Sequence, residues 1–366
     1  MTATTTPVHP WVSAGSDRLR VGIEFAPQSD WGATRDFAQT AEGLGFDSLW
    51  IPDHPGVLGN ATWTTLAALA SATTTIRLGP LVACAAYWNP VILARAAADI
   101  DRLSGGRMVL GLGSGDMPHE FAQLGIAWPA AATRQARLAE TLRIVRPLLR
   151  GETVTFDGEH VRADGAVLDP PPVQQPYVPI LVAGGGERTT LRYVAEYADA
   201  CNLGAVGWAG GVYSPEDISH KLAVLSERCG EAGRPGRDVL RTGLAMVVLG
   251  ESGAAAQAKL DAMPAFILAF MGQLPIVGSP EEVAAQVQTL QAAGFQYLIF
   301  IVFDPETLQL LGEHVLPAVV AAETSIPTAR PPMSRPIHED SGEGGIGQRS
   351  IIRIWIVQSA QTGQPG

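Results

Sequence analysis

The sequence predicts an α/β fold, specifically a (β/α)8 (TIM) barrel with insertions. Short apolar segments typical of strands alternate eight times with amphipathic segments typical of helices. The strand-like segments are almost continuously apolar, as expected of parallel strands that are buried on both faces. Polar residues and glycines gather directly after several of these strands, which is where the active sites of such barrels lie. An open doubly wound sheet is the alternative, but eight consecutive strand–helix units favour closure.

The individual elements follow from the spacing of apolar residues. The segment 133–150 shows the helical pattern, because Leu138, Leu142, Val145 and Leu149 recur on one face of a helix. The eight predicted strands are 19–26, 47–51, 76–84, 107–112, 178–183, 200–204, 243–249 and 297–303. The helices that follow them are predicted at 30–44, 64–73, 91–103, 133–150, 187–197, 215–230, 280–293 and 306–322.

Three segments depart from the alternating pattern. Residues 151–176 contain a predicted hairpin around the turn Asp157-Gly158, and residues 251–279 form an alanine-rich insertion that extends to about residue 272. The tail is Pro/Arg-rich and then Gly-rich, and it contains a short β-prone run at 351–357. We therefore expect an N-terminal extension at 1–18, one barrel domain at 19–325 and an irregular tail at 326–366.

Composition and charge exclude several functional classes. The chain has 366 residues, of which 46% are hydrophobic, and its net charge of −11 disfavours nucleic acid as a partner. The cysteines Cys84, Cys201 and Cys229 lack the spacing of a metal site, and their odd number disfavours a disulfide framework. The first 20 residues lack the apolar core of a signal peptide, and no stretch of about 18 apolar residues is present. We expect a cytoplasmic enzyme without metal, membrane contact or nucleic-acid partner.

The candidate catalytic residues lie after the second and fourth predicted strands. Asp53 and His54 follow the second strand, where a carboxylate beside an imidazole can tune its pKa near neutrality. The alternative is an ordinary loop histidine that is bonded to the backbone. Asp116 and Glu120 follow the fourth strand, and either one is a candidate acid or, equally, a helix-capping residue. The aromatic residues Trp63, Tyr87 and Trp88 are candidates for a pocket wall or for plain packing.

Two glycine-rich loops are candidate cofactor sites. The run that contains Gly113, Ser114 and Gly115 lacks the spacing of a dinucleotide fingerprint, and its small residues would let a planar ring approach the backbone. A tight turn is the alternative. Gly184, Gly185 and Gly186 lie between the fifth strand and its helix, where unblocked N–H groups can bind a phosphate. Arg188 would add positive charge there or form an exposed salt bridge.

Several motifs over about residues 20–320 resemble the bacterial luciferase-like monooxygenase superfamily. They are 44–50 with Asp53-His54, 76–79, 89–94, 103–107 with 111–116, 151–154, and 184–188 with 197–199. The chain is most similar to the branch that uses the deazaflavin coenzyme F420. The resemblance implies a luciferase-like barrel, a small-molecule substrate and, commonly in this family, a homodimer.

The resemblance also implies roles for individual residues. His54 would transfer a proton to or from the substrate, and Asp116 would be a second acid near the ring. Gly184, Gly185 and Gly186 would receive the cofactor phosphate, with Arg188 beside them. A bulge with a cis peptide bond between Leu81 and Val82 would lie behind the ring. The predicted cofactor contacts are Asp53, Leu81, Val82, Gly113, Ser114, Gly115, Gly184, Gly185, Gly186 and Arg188.

The chain departs from the family pattern at three places. Leu58 replaces the aromatic residue that some sugar-phosphate dehydrogenases have four positions after the histidine, and Pro80 is unusual before the bulge. Around 205–275 the basic residues that would bind a substrate phosphate are not recognisable. The missing aromatic residue at position 58 and the missing basic residues argue against a sugar phosphate as the substrate.

The first functional hypothesis is hydride transfer between coenzyme F420 and a small organic substrate. The alternative is an FMN-dependent monooxygenase of the same fold that uses reduced flavin and oxygen. A cofactor-free lyase or hydrolase with His54 and Asp116 as base and acid is a third hypothesis, and a non-catalytic binding protein is a fourth. The sequence names neither the substrate nor the direction of hydride transfer.

Overall fold

In a computed structural model, the described residues 8–14, 18–27, 30–55, 61–205, 211–270 and 275–320 form a parallel barrel surrounded by helices. The strands are β1 Arg20–Glu24, β2 Ser48–Ile51, β3 Arg77–Pro80, β4 Ala83–Cys84, β5 Leu110–Gly113, β6 Val154–Asp157, β7 Arg162–Ala166, β8 Ile180–Ala183, β9 Ala200–Gly204, β10 Leu240–Leu249, β11 Ile276–Gly278 and β12 Tyr297–Ile301. The α-helices are α1 Pro10–Ser13, α2 Trp31–Gly43, α3 Thr62–Ala72, α4 Pro90–Leu103, α5 Pro118–Gln123, α6 Ala131–Leu149, α7 Thr190–Tyr197, α8 Pro215–Glu231, α9 Gly253–Ala262, α10 Ala265–Phe270, α11 Pro280–Ala292, α12 Pro305–Leu310 and α13 Leu316–Val320.

The predicted α/β barrel is confirmed. The strand order is β3-β2-β1-β12-β10-β9-β8-β5-β4, and β3 and β4 are successive parts of the strand predicted at 76–84. A parallel bridge between Leu78 and Met108, together with the β4–β5 pairing, closes the cylinder. Counting β3 and β4 as one interrupted strand gives the eight strands that the sequence predicts.

The interruption between β3 and β4 corrects the prediction of one continuous strand. Pro80 ends β3, and the following peptide bond between Leu81 and Val82 is cis, as the family resemblance implies. Proline has no N–H to give to a sheet, and a bulge is one of the few places in a sheet where it fits. The chain rejoins the sheet at Ala83, opposite Leu112 of β5.

The helices cover the outside of the barrel, and several begin at clear capping signals. Asn89 accepts the N–H groups of Val91 and Ile92 at the start of α4, and Ser279 with Glu282 forms a capping box on α11. Helix α7 begins at Thr190 rather than at 187, because a turn separates it from the glycine run. The short helix α5 was not foreseen.

Both insertions have regular structure. The hairpin prediction is confirmed by antiparallel β6 and β7, while the alanine-rich insertion forms α9 and α10, and β11 extends the sheet beside the end of β10. The final helix is split into α12, a π-helical turn over Leu311–Val315 and α13. The tail at 326–366 and position 58 lie outside the described residues. No helix among the described residues is both long and apolar enough to span a membrane.

Two apolar layers pack against the strands, one outside the barrel and one inside it. The larger layer lies between the barrel and its helices, and the smaller one fills the barrel interior. Trp50, Leu181 and Tyr297 belong to the inner layer, which is joined from the N-terminal segment by Trp11. The Arg20 guanidinium donates to the Trp11 carbonyl at 2.8 Å and lies over the Tyr297 ring. This packing fills the end of the barrel where the strands begin and leaves the opposite end for a site.

Candidate active site

Acidic side chains converge on His54 where the barrel strands end. His54 follows β2, a strand in which all four residues are buried, and its Nδ1 lies 3.0 Å from Glu120 Oε2. Glu120 is only 1% exposed and comes from α5, after β5. The Tyr87 hydroxyl, from the loop after β4, donates to the same Oε2 at 3.1 Å. The histidine that the sequence singled out is therefore held on a buried carboxylate.

The carboxylate in contact with His54 is Glu120, and not the neighbouring Asp116 that was predicted as the second catalytic group. Asp116 is half-buried, and its negative charge contributes to raising the pKa of His54. Helix α5 turns Glu120 back toward the barrel, while Asp116 stays in the loop before it. Glu120 therefore acts on His54 by direct contact, whereas Asp116 acts on it through its charge.

The pKa of His54 is set by opposing effects. Burial lowers it, because the charged imidazolium loses its hydration. The hydrogen bond and charge of Glu120 and the charges of Asp116 and Glu24 act in the other direction and outweigh burial, so the pKa of His54 lies above its usual 6.5. The fraction of His54 that is protonated at a given pH is consequently larger than for an ordinary histidine.

Glu24 is a functional candidate that the sequence reasoning missed. It is the last residue of β1, it is 8% exposed, and its Oε2 has no hydrogen-bond partner among the described residues. Burial raises its pKa to about 8, although the positive charge of His54 opposes the shift. The signal was present in the sequence, since Glu24 lies in the C-terminal half of the first predicted strand, toward the catalytic end of a barrel.

Asp53 anchors the loop that carries His54. Its Oδ2 accepts the backbone N–H of Cys84 at 3.3 Å and the indole N–H of Trp88 at 2.9 Å. It is 3% exposed, and burial raises its pKa. The aromatic residues predicted as a pocket wall support this contact, because Trp63 packs edge-on against Trp88, the donor to Asp53, with 5.7 Å between ring centres. Asp53 therefore ties the β2 loop to the end of β4.

The glycines of β5 make room for the bulge, and the expected close approach of a ring to Gly113, Ser114 and Gly115 stays a prediction. A Cβ on Gly111 would clash with the carbonyl oxygen of Pro80, and a Cβ on Gly113 would lie 2.6 Å from Val82 Cγ2. Gly115 has a φ of +86°, and a Cβ there would lie 2.7 Å from Cys84 Sγ. The small residues are thus required by the packing of β5 against the chain between β3 and β4.

The loop after β8 differs from the predicted phosphate site at a helix N-terminus. The Gly184 N–H donates to the carbonyl of Asn202 at 2.9 Å and is therefore engaged. The N–H groups of Gly185 and Gly186 have no acceptor among the described residues. Three residues separate this run from α7, so the helix dipole contributes less than predicted. Arg188 is exposed.

Hydroxyl and amide groups connect the two glycine loops. Gln135 of α6 donates to Ser114 Oγ at 3.1 Å and receives a longer hydrogen bond, 3.5 Å, from Thr190 Oγ1. A Cβ on Gly186 would lie 3.0 Å from that hydroxyl. Sequence reasoning missed Gln135 and Thr190, because polar helix residues carry no local signal of their tertiary partners. Together with the N–H groups of Gly185 and Gly186, these groups form a polar surface that suits a phosphate.

Within the described part of the chain, no group of three or more His, Cys, Asp or Glu residues has the arrangement of a metal site. Cys84 lies beside the active residues, but burial raises its pKa to about 12. Its thiol therefore stays protonated and is a poor nucleophile. The chemistry of the site rests on His54 and the carboxyl groups around it.

Comparisons with known proteins agree with the barrel fold. An F420-dependent glucose-6-phosphate dehydrogenase of Kineococcus radiotolerans is 32% identical over 317 residues, which cover 76% of this chain and 88% of the relative. A 5,10-methylenetetrahydromethanopterin reductase of Archaeoglobus fulgidus is 34% identical over 187 residues, which cover 51% of this chain and 53% of the relative. The chain thus spans about half the length of the second relative.

Solved structures share the fold. The coenzyme F420-dependent tetrahydromethanopterin reductase of Methanopyrus kandleri has a TM-score of 0.69 at 20% identity, covering 82% of this chain and 99% of that one. A monooxygenase of Streptomyces bottropensis has a TM-score of 0.66 at 23% identity, with coverage of 82% and 99%. The family model described as luciferase-like monooxygenase matches residues 4–271. The chain therefore belongs to the luciferase-like monooxygenase family.

Proposed function

We propose that this protein is an oxidoreductase that transfers a hydride between coenzyme F420 and a small organic substrate, with His54 as the proton-transfer residue. The observation that carries the proposal is the contact of His54 with buried Glu120 at the ends of the barrel strands. The name of the Kineococcus relative, which is 32% identical, supports F420 as the coenzyme. General acid–base residues work best with a pKa near the working pH, and the surrounding carboxyl groups raise the pKa of His54 above its usual value.

The residues at the barrel mouth fit a flavin-type ring with a phosphate-bearing tail. The bulge at Leu81 and Val82 would support one face of the ring, and the N–H groups of Gly185 and Gly186 would receive a phosphate. When bound, the deazaflavin ring would supply the hydride chemistry. The protein would supply orientation and a proton.

His54 is suited to give or take a proton, because the contact of its Nδ1 with Glu120 fixes the orientation of the ring. Glu24 is a second group that can hold a proton near neutrality, since burial raises its pKa to about 8. Its unpartnered Oε2 is available for a hydrogen bond to a bound molecule. Asp116 would act mainly through its charge on His54.

The charges around the site favour an uncharged or cationic substrate over a phosphorylated one. The carboxyl groups of Asp53 and Glu120 are buried, and in their charged form they would oppose a second anion. Cations that could offset them are engaged elsewhere: Lys221 bonds Glu187, and Lys259 bonds Asp304 and Glu306. The substrate class proposed here therefore differs from the sugar phosphate in the name of the Kineococcus relative.

A comparison of coenzyme binding tests this proposal. F420 and FMN are added separately to coenzyme-free protein, and binding is followed by absorbance and fluorescence. We expect F420 to bind to the native protein and more weakly to Gly185→Asp, which places a carboxylate in the phosphate loop. The control Gly230→Asp, which places the same charge on an open helix surface, should bind F420 as well as the native protein. Tight FMN binding without F420 binding would instead establish the alternative, an FMN-dependent monooxygenase, which the shared fold of the Streptomyces monooxygenase favours. Failure of both coenzymes to bind would refute the oxidoreductase proposal.

A further inference from the structure

We propose that Tyr87 is a positioning residue that fixes the direction and basicity of the His54–Glu120 pair. Its hydroxyl donates to Glu120 Oε2 at 3.1 Å, and that same oxygen lies 3.0 Å from His54 Nδ1. Tyr87 therefore acts on His54 through the carboxylate that both residues share. The functional meaning of this role rests on the proposed proton transfer by His54.

Tyr87 is held in place from two sides. The loop after β4 is fixed by a hydrogen bond from the Ala85 N–H to the Gly113 carbonyl and by one from the Tyr87 N–H to the Cys84 carbonyl. The Tyr87 ring packs edge-on against Phe121 with 5.0 Å between ring centres. Phe121 directly follows Glu120 on α5, so the aromatic contact sets the distance from the hydroxyl to its acceptor.

The hydroxyl removes a freedom that the carboxylate would otherwise have. Glu120 Oε2 takes both contacts, whereas Oε1 is buried and has no hydrogen-bond partner among the described residues. Without the tyrosine donor, the carboxylate could rotate and offer either oxygen to His54. Burial and the nearby charge of Glu120 raise the pKa of Tyr87, so the hydroxyl remains a donor across the working pH range.

The hydroxyl also lowers the basicity of Glu120, since a hydrogen bond to a carboxylate stabilises its charged form. Most ionisable groups around the pair are acidic, and the guanidinium of Arg134 lies near Asp116 and Cys84. The groups whose charges or bonds act there are Glu24 of β1, Asp53 beside His54, Cys84 and Tyr87 at the end of β4, and Asp116 and Glu120 after β5. Loss of the tyrosine donor leaves Glu120 more basic and strengthens its hold on the His54 proton.

The test is a pH titration of His54 by NMR in the full chain with ¹⁵N-labelled histidine, without coenzyme. Comparison with a His54→Gln variant identifies the His54 signal. In Tyr87→Phe we expect the pKa of His54 to rise by about 0.5 to 1 unit, because the ring packing stays and only the hydroxyl is lost. The matched control is Tyr177→Phe, which removes a tyrosine hydroxyl from buried Asp199 at 2.9 Å, in a pair with no contact to His54. The control should leave the titration of His54 unchanged.

The acceptor side of the same link gives a second measurement. Glu120→Gln should lower the pKa of His54, and adding Tyr87→Phe to that variant should produce no further shift, because the charged intermediary is gone. An unchanged His54 titration in Tyr87→Phe, or an equal shift with and without Glu120, would overturn the proposal. If the native protein does not bind F420, only the proposed function is refuted, because the titration of His54 requires no coenzyme.

Discussion

Glu24 is expected to reduce the stability of the protein at and above neutral pH, and Glu24→Gln should remove this penalty. The folded protein holds the pKa of Glu24 at about 8, against 4.5 for an ordinary glutamate. Between those values the folded chain keeps a proton that the unfolded chain releases. Stability contributed by that proton is therefore lost progressively as the pH rises from about 4.5 to about 8.

The magnitude follows from the pKa difference. A displacement of about 3.5 pKa units corresponds to at most about 5 kcal/mol above pH 8. The entry of water on ionisation reduces this value, and we expect a gain of about 2–4 kcal/mol for Glu24→Gln at pH 8.5. At pH 4 the gain should vanish, because both proteins then carry an uncharged side chain at position 24.

The assay is urea unfolding of both proteins at pH 4, 6 and 8.5, with the free energy of unfolding compared at each pH. Glu42→Gln is a control of opposite sign. The Glu42 Oε1 accepts the N–H groups of Thr74, Thr75 and Ile76, and these bonds outweigh the opposing effect of burial and lower its pKa to about 2. We expect this control to lose about 1–2 kcal/mol above pH 4.5, after allowance for solvent screening, and less as the pH falls toward 2. A Glu24→Gln protein whose stability parallels the native one at all three pH values would refute the reasoning.

Three other predictions concern the cofactor loop, the histidine and the support of β5. Gly185→Asp should weaken F420 binding at least about tenfold by placing a carboxylate against the phosphate, and unchanged affinity in a fluorescence titration would contradict the phosphate loop. His54→Ala should depress turnover about 10²- to 10⁴-fold with little effect on the Kd of the coenzyme; the reverse pattern in steady-state kinetics would make His54 a binding residue. Arg107→Met should cost about 3–5 kcal/mol in urea unfolding, because the guanidinium donates to buried carbonyls of Ala70, Thr73, Ser104 and Ile76. Arg102→Met on α4, whose side chain is 28% exposed, serves as the control, and an equal loss there would argue against the prediction.

The fold could be predicted from the sequence because its strands are short and apolar and its helices are amphipathic. These patterns report burial on two faces or on one, and they do not depend on distant partners. The interruption of the third strand is different, because β3 and β4 are separated by two residues whose apolar side chains fit a continuous strand equally well. Only the family resemblance pointed to Leu81 and Val82, and the structure has the cis bond there.

The site could be predicted in part. The position of His54 after a buried strand was sufficient to single it out, because strand ends meet at one face of a barrel. The choice between Asp116 and Glu120 was not accessible, since it depends on the six-residue helix α5, which is too short for local propensity to specify. Glu24 could have been found from the alternation in β1, where Arg20, Gly22 and Glu24 share the face that points into the barrel.

The distribution of charge explains how one end of the barrel can hold several buried carboxyl groups together. The cations near this face are used to fix loops: Arg134 donates to the carbonyls of Gly115 and Pro129, and Arg137 donates to those of Ala85, Trp88 and His160. Because these guanidinium groups bond backbone carbonyls, they order the loops without neutralising Glu24 or Glu120. Glu24 Oε2 and Glu120 Oε1 remain without a partner among the described residues and are therefore available to a bound molecule. The loss of folding stability that these buried carboxyl groups cause is the expected cost of the proposed proton transfer.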